Sequence, residues 1–149
     1  MSVRKTVTDL VETMVNGIST STGYQTDFDL ISVWQTTPFS DDEVSCNIKD
    51  LADEIESDDE GVIHTHNLHF EIDLIIGGKG SDAVENGRFA IQDIYTAIRN
   101  NFNTDTYKAW PESDDLTPQH DDKLVCNASV RFYIKFVTGA FESTILNTR

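Results

Sequence analysis

Between Val62 and Ile76 the side chains alternate in character with a period of two. The even positions carry Val62, His64, His66, Leu68, Phe70, Ile72, Leu74 and Ile76, and the odd ones include Thr65, Asn67, His69, Glu71 and Asp73. That period belongs to a strand with one apolar and one polar face. The pattern returns from Leu124 to Thr138. There Cys126, Ala128, Val130, Phe132, Ile134 and Phe136 alternate with Val125, Asn127, Ser129, Arg131, Tyr133 and Lys135. Two other segments follow the helical period. Over residues 3–18, Val3, Val7, Leu10, Val11, Met14 and Ile18 recur at intervals of three and four, with Ser2 placed as N-cap and Asn16-Gly17 as stop. Over Ser81 to Asn101, Phe89, Ile91, Ile94, Tyr95 and Ile98 form a broad apolar face, and Asp82 suits the positive end of the helix dipole.

The remaining segments carry weaker patterns. Asp29 to Thr36 alternates around Ile31, Val33 and Trp34 and predicts a strand; Pro38 then falls in a loop, and Val44 to Ile48 is a short apolar run. Asp50 to Glu56 suits a short helical turn or an acidic loop, and Ser57 to Gly61 a solvated turn. Gly77-Gly78-Lys79-Gly80 predicts a turn, since it lacks the spacing and the terminal Lys-Ser/Thr of a phosphate loop. Residues 103–122 have the polar composition of a long loop, carrying Tyr107, Trp110, Pro111 and Pro118, and residues 139–149 that of a frayed tail. The order predicts a single domain over 1–149 with a folded core at about 3–138. Its class is α+β: a mixed or antiparallel β-sheet with two main helices packed on one face.

Charge adds what the patterns cannot. The 149 residues hold 26 acids against 11 basic residues, a formal charge of -15. Such a field repels nucleic acid and anionic membranes, so direct DNA or RNA binding is disfavoured. It serves either solubility or an acidic wall that DNA slides past, and composition leaves both open. No apolar run approaches the roughly 18 residues of a membrane span, and the start of the chain lacks the apolar stretch of a signal peptide, so a cytoplasmic protein is expected. Cys46 and Cys126 stand far apart in strand-like runs, without a CxxC partner, and read as buried small apolar residues rather than a bridge.

The candidate chemistry is sparse. His64 and His66 share a strand face and His69 lies on the other, so a zinc site would need a distant ligand such as His120 or Asp121. Strand-end histidines are the favoured reading, and neither metal nor cofactor is expected. The carboxylate groups Asp41-Asp42-Glu43, Asp58-Asp59-Glu60 and Asp114-Asp115 fall in polar segments. General acid-base chemistry needs a dry pocket instead, and no nucleophile motif or EF-hand spacing occurs. The chain is therefore expected not to be an enzyme. Phe39, Tyr107 and Trp110 sit in predicted loops, two of them beside proline, and with Asp114 and Asp115 they form a candidate protein interface. The competing role for Trp110-Pro111 is to pin its loop to the sheet.

One layout ties these segments together. Gly23-Tyr24-Gln25-Thr26-Asp27-Phe28 leads to a strand ending Val33-Trp34 and then to Pro38-Phe39. A short strand from Val44 to Asp50, the histidine-rich strand and a helix bearing Arg88-Phe89-Ala90-Ile91-Gln92-Asp93-Ile94-Tyr95 follow. This order resembles the small tail-terminator, or minor tail, proteins of long-tailed bacteriophages, over most of residues 3–138. The resemblance implies an α+β subunit of the virion tail or neck, assembled in the host cytoplasm. Its partners would be copies of itself in a ring, commonly a hexamer, the major tail tube protein, and a head-completion or connector protein. DNA would pass through the ring without specific binding, and Asp41, Asp42, Glu43, Asp58, Asp59 and Glu60 are the candidates for an acidic lumen or surface. A head-completion or neck protein, an acidic binding module or inhibitor, and a metal enzyme using His64, His66 and His120 are the competing readings.

Overall fold

The computed structural model describes residues 2–40, 43–58, 60–77, 82–120, 124–139 and 146–147. Its elements in chain order are α1 (Val3–Asn16), a 3-10 turn (Thr20–Thr22), β1 (Leu30–Val33), β2 (Val44–Ser57), β3 (Ile63–Ile76), α2 (Asp82–Asn101), β4 (Lys108–His120), β5 (Leu124–Gly139) and β6 (Leu146–Asn147). The strands form one mixed sheet in the order β1-β2-β3-β5-β4, with β6 paired to the end of β5. β1 runs parallel to β2, and every other pairing is antiparallel. The fold is α+β, with α2 over β3, β5 and β4, and α1 beside it over β1 and β2.

The two alternating segments form the middle of the sheet. β3 and β5 pair without a break from Ile63↔Gly139 to Ile76↔Cys126, so their apolar faces coincide. Leu68, Phe70, Ile72, Val130, Phe132 and Ile134 are wholly buried beneath the helices. The rings of Phe70 and Phe132 stack with centroids 5.4 Å apart at the centre of this core. Helix α1 begins where predicted: the Ser2 hydroxyl accepts from the Lys5 N–H at 3.1 Å, and Gly17 caps the other end. Leu10, although in phase with the apolar stripe, is left 38% exposed, while Val15 is buried in its place. Helix α2 approaches the sheet so closely that a Cβ on Gly87 would come within 2.8 Å of Leu116 Cδ1 and 3.1 Å of Cys126 Sγ. Both cysteines are free and buried, and burial pushes the Cys46 thiol far above its usual range.

Four expectations need correction. Residues 108–120 are not a loop: they form β4, paired with β5 from Lys108↔Lys135 to His120↔Leu124. Pro111 and Pro118 are tolerated because β4 lies at the edge of the sheet, where one side of the strand needs no donor. Asp50 to Glu56 is neither a helical turn nor a loop. β2 continues through it to Ser57 beside the long β3, with a register shift between Asp50 and Asp53. The predicted strand at Asp29 to Thr36 stops at Val33, because Trp34 turns the chain with a φ of 51°. Of the tail, Leu146 and Asn147 are not frayed but pair with Thr138 and Val137. The Gly78-Lys79-Gly80 part of the predicted turn lies outside the described residues.

Candidate docking groove between helix α2 and strand β4

Because α2 crosses the sheet over β5, its outer flank and the start of β4 leave a groove of about 810 Å3 between them. Ile91, Tyr95, Ile98 and Phe102 line it from the helix side, and Ala109, Trp110 and Pro111 from the strand. Arg88, Arg99 and Lys108 also line it, all three exposed. Tyr95 donates from its hydroxyl to Asp114 Oδ2 at 2.8 Å, and burial, with this carboxylate beside it, pushes its phenol up to about 12. Trp110 lies flat on Tyr133, ring centroids 5.6 Å apart, yet stays 40% exposed. On that open face of the sheet, away from the helices, Lys135 approaches the same ring, its Nζ 5.9 Å from the centre of the Trp110 ring.

The cations are distributed unevenly. Arg4 pairs with Asp50, Lys5 with Asp9, Lys49 with Asp73, Arg88 with Glu85, and Arg131 with Glu71. Among the described residues, Arg99, Lys108 and Lys135 have no carboxylate partner; Arg99 borders the groove, and Lys108 and Lys135 lie opposite each other on the other face of the same edge. Sequence reasoning missed this groove. Lys108, Arg99 and Lys135 lie on three different elements, and only the pairing of β4 with β5 brings them together.

The opposite margin of the sheet is acidic. β1 covers β2 only from Ser45 to Ile48, so among the described residues the outer edge of β2 beyond Lys49 has no strand beside it. Asp50 is held from two sides: Trp34 Nε1 donates to Oδ1 at 2.7 Å, and the Arg4 guanidinium meets Oδ2 at 2.6 Å and also reaches the Leu51 carbonyl. Burial raises the Asp50 carboxyl, but these donors outweigh it and hold the group below its ordinary value. His66 is stacked on Phe136 and engaged at both nitrogens, by Asp53 at 2.7 Å and Thr138 at 2.8 Å. Such a ring has no free nitrogen for a metal ion. His69 sits on the opposite face, between Glu112 at 2.5 Å and Glu54 at 2.9 Å. The Glu54 contact is an ion-pair distance without hydrogen-bond geometry, which leaves Nε2 without a partner in the directional sense. The side chain of His120 and the whole of Asp121 lie outside the described residues.

The predicted interface residues do not form one patch. Trp110 and Asp114 border the groove, but Asp115 pairs with Ser129 and so belongs to the face opposite Asp114. Tyr107 packs edge-on against Phe102 and Phe136, half-buried, and anchors the chain before β4. Phe39 is half-buried in the connection between β1 and β2, on the other side of the sheet from Trp110. Trp110 is pinned to Tyr133 on one side and open on the other.

The acidic candidates are likewise divided. Glu43 is exposed at the start of β2 and Glu60 at the far hairpin, separated by the length of the strand, about 40 Å at the usual rise. Asp58 closes the β2–β3 turn, where its Oδ1 accepts from the Val62 and Ile63 amides at 2.8 and 3.3 Å. Asp41, Asp42 and Asp59 lie outside the described residues. No helix is long and apolar enough to cross a membrane among the described residues. The segment before β1 is tied to helix α2, since the Gln25 amide donates to the buried Asp93 carboxylate at 3.0 Å. No protein-family model matches the chain, and no curated protein matches it either.

Proposed function

We propose that this chain is a structural virion protein that caps a phage tail tube, ends its polymerisation and offers the surface on which the head is joined. The observation that carries this reading is the groove. It is an apolar channel bordered by Arg99 on the helix-bearing face, and the same edge carries the half-exposed Trp110 and the uncompensated Lys108 and Lys135 on the other face of a strongly acidic subunit. Aromatic anchors ringed by charge suit protein recognition, where a rigid ring buries much area at low entropic cost. The sheet with both helices on one face also agrees with the fold that the bacteriophage resemblance implies.

The high negative charge fits the same role in two ways. A ring of such subunits repels the DNA that must pass through it. The same charge opposes association of subunits at low salt, so assembly is favoured on the tube or at higher ionic strength. A direct test adds the purified chain to polymerising major tail tube protein and measures tube length by electron microscopy. Shortened tubes with a ring at one end are expected. Tubes of unchanged length, with the chain bound instead as a monomer to a basic protein, would replace this reading with that of an acidic inhibitor.

A further inference from the structure

The pairing register aligns the two margins of the sheet. Glu54 on β2 is opposite Asn67 on β3, Asn67 is opposite Lys135 on β5, and Lys135 is opposite Lys108 on β4. One row across the sheet therefore begins with a carboxylate and ends with two lysines. The next residue, Ile55, is opposite His66 and so lies on the helix-bearing face, where it is 52% exposed. The groove opens on that same face, against Ala109 at nearly the same height along the strands. Glu54 and Glu56 flank Ile55 and are exposed on the other face, the one that carries Lys108 and Lys135.

We infer that the occupant of the groove is a second copy of this chain, presenting residues 54–56 of its β2 margin. Ile55 enters between α2 and β4, and Glu54 and Glu56 meet Lys108 and Lys135. This rests on the assembly reading above and names the contact that builds the ring. Three arguments support it. The charges are complementary, with Lys108 and Lys135 meeting two carboxylates on the open face, opposed locally by Asp105 in the 102–107 turn and by Glu112, which His69 already engages. The two surfaces lie on opposite margins, so each copy can give one and receive one, a heterologous contact that closes into a ring. They lie at one level along the strands, so successive copies need no rise, which favours closure over a helical filament.

The contact is made by side chains rather than by strand addition. The outer side of β4 at this height is already taken, because the Ala109 amide donates to the Phe102 carbonyl at 3.0 Å and Asn103 bridges to Lys108. Further along, Pro111 and Pro118 interrupt the donors that an added strand would need.

A charge exchange tests this. One variant carries Glu54→Lys and Glu56→Lys, the other Lys108→Glu and Lys135→Glu, and circular dichroism establishes that each keeps its fold. Sedimentation of each alone is expected to show self-association weakened about tenfold or more, as like charges are brought together. Mixed in equal amounts, the two reversals complement one another, and association should return to within about threefold of the wild type. Variants that assemble singly as well as the wild type would overturn the inference while leaving the tail reading in place. So would a mixture no better than its parts. Rescue on mixing, by a protein that does not shorten tail tubes, would uphold the contact and refute the tail reading. Where a variant loses its fold, Ile55→Asp replaces it, with the same weakening expected and wild-type association the contrary result.

Discussion

At the β2 margin, Arg4, Trp34 and His66 each turn toward a carboxylate of their own chain, so that Asp50 and Asp53 are consumed internally. At the β4 margin the cations Arg99, Lys108 and Lys135 have no such partner among the described residues, and an apolar groove opens beside them. The first margin is largely finished within the monomer, leaving Ile55 and Glu56 exposed beyond Asp53, with Glu54 exposed but reaching His69 at 2.9 Å. The second is left incomplete at nearly the same height. The contrast shows how an edge can be protected and still be specific. Acids and prolines discourage indiscriminate strand pairing, while a short complementary patch admits one partner.

The largest effect should come from the core that joins the margins. Phe132→Ala removes a wholly buried ring stacked on Phe70, and should cost about 3–5 kcal/mol in denaturant unfolding. Both margins should lose amide protection together. If only one does, the sheet is not a single cooperative unit. Next, His66→Ala should cost about 1–3 kcal/mol, because it strands the Asp53 carboxylate and the buried Thr138 hydroxyl and removes a ring packed on Phe136. Hydrogen exchange should report the loss at the β2 margin and spare the groove.

Smaller effects distinguish the margins further. Gly87→Ala should destabilise by about 1 kcal/mol, since Leu116 Cδ1 must swing away from the new methyl group. This change should widen the groove and leave β2 untouched. The smallest effects appear in the pH dependence, and they fall at opposite ends of the scale. The raised Tyr95 phenol contributes stability that is complete below its ordinary value of 10.0 and lost as pH rises through about 12. Tyr95→Phe should flatten that alkaline decline. The depressed Asp50 carboxyl contributes stability present above its ordinary 3.8 and lost as pH falls through its lower folded value. Arg4→Ala should therefore narrow the gap in stability between neutral and acid solution, and leave the steepness of the alkaline decline unchanged.

The sequence exposes some of this architecture more readily than the rest. β3 and β5 declare themselves because each has one face on the core and one on solvent, so burial is written as alternation. The second half of β2 does not. Its acids at Asp50, Asp53 and Glu54 are accommodated by Arg4, His66 and His69, partners distant in sequence. Nor does β4, whose prolines and acids signal a loop unless the strand is known to be an edge. The site follows the same division. Trp110 is conspicuous as an aromatic among polar residues, but its lysine neighbours belong to its surroundings only through the β4–β5 register.

Sedimentation velocity of the wild-type chain across ionic strength tests the central claim, that this acidic subunit is built to associate with itself. At about 0.01 M salt, where the Debye length is near 30 Å, the charge of -15 should hold it largely monomeric. At about 0.5 M salt, long-range repulsion is screened while the close Glu–Lys contacts and the seated Ile55 persist, and a discrete ring-sized species should appear. A single monomeric boundary at every salt and protein concentration, or a stable ring already formed at the lowest salt, would contradict the account.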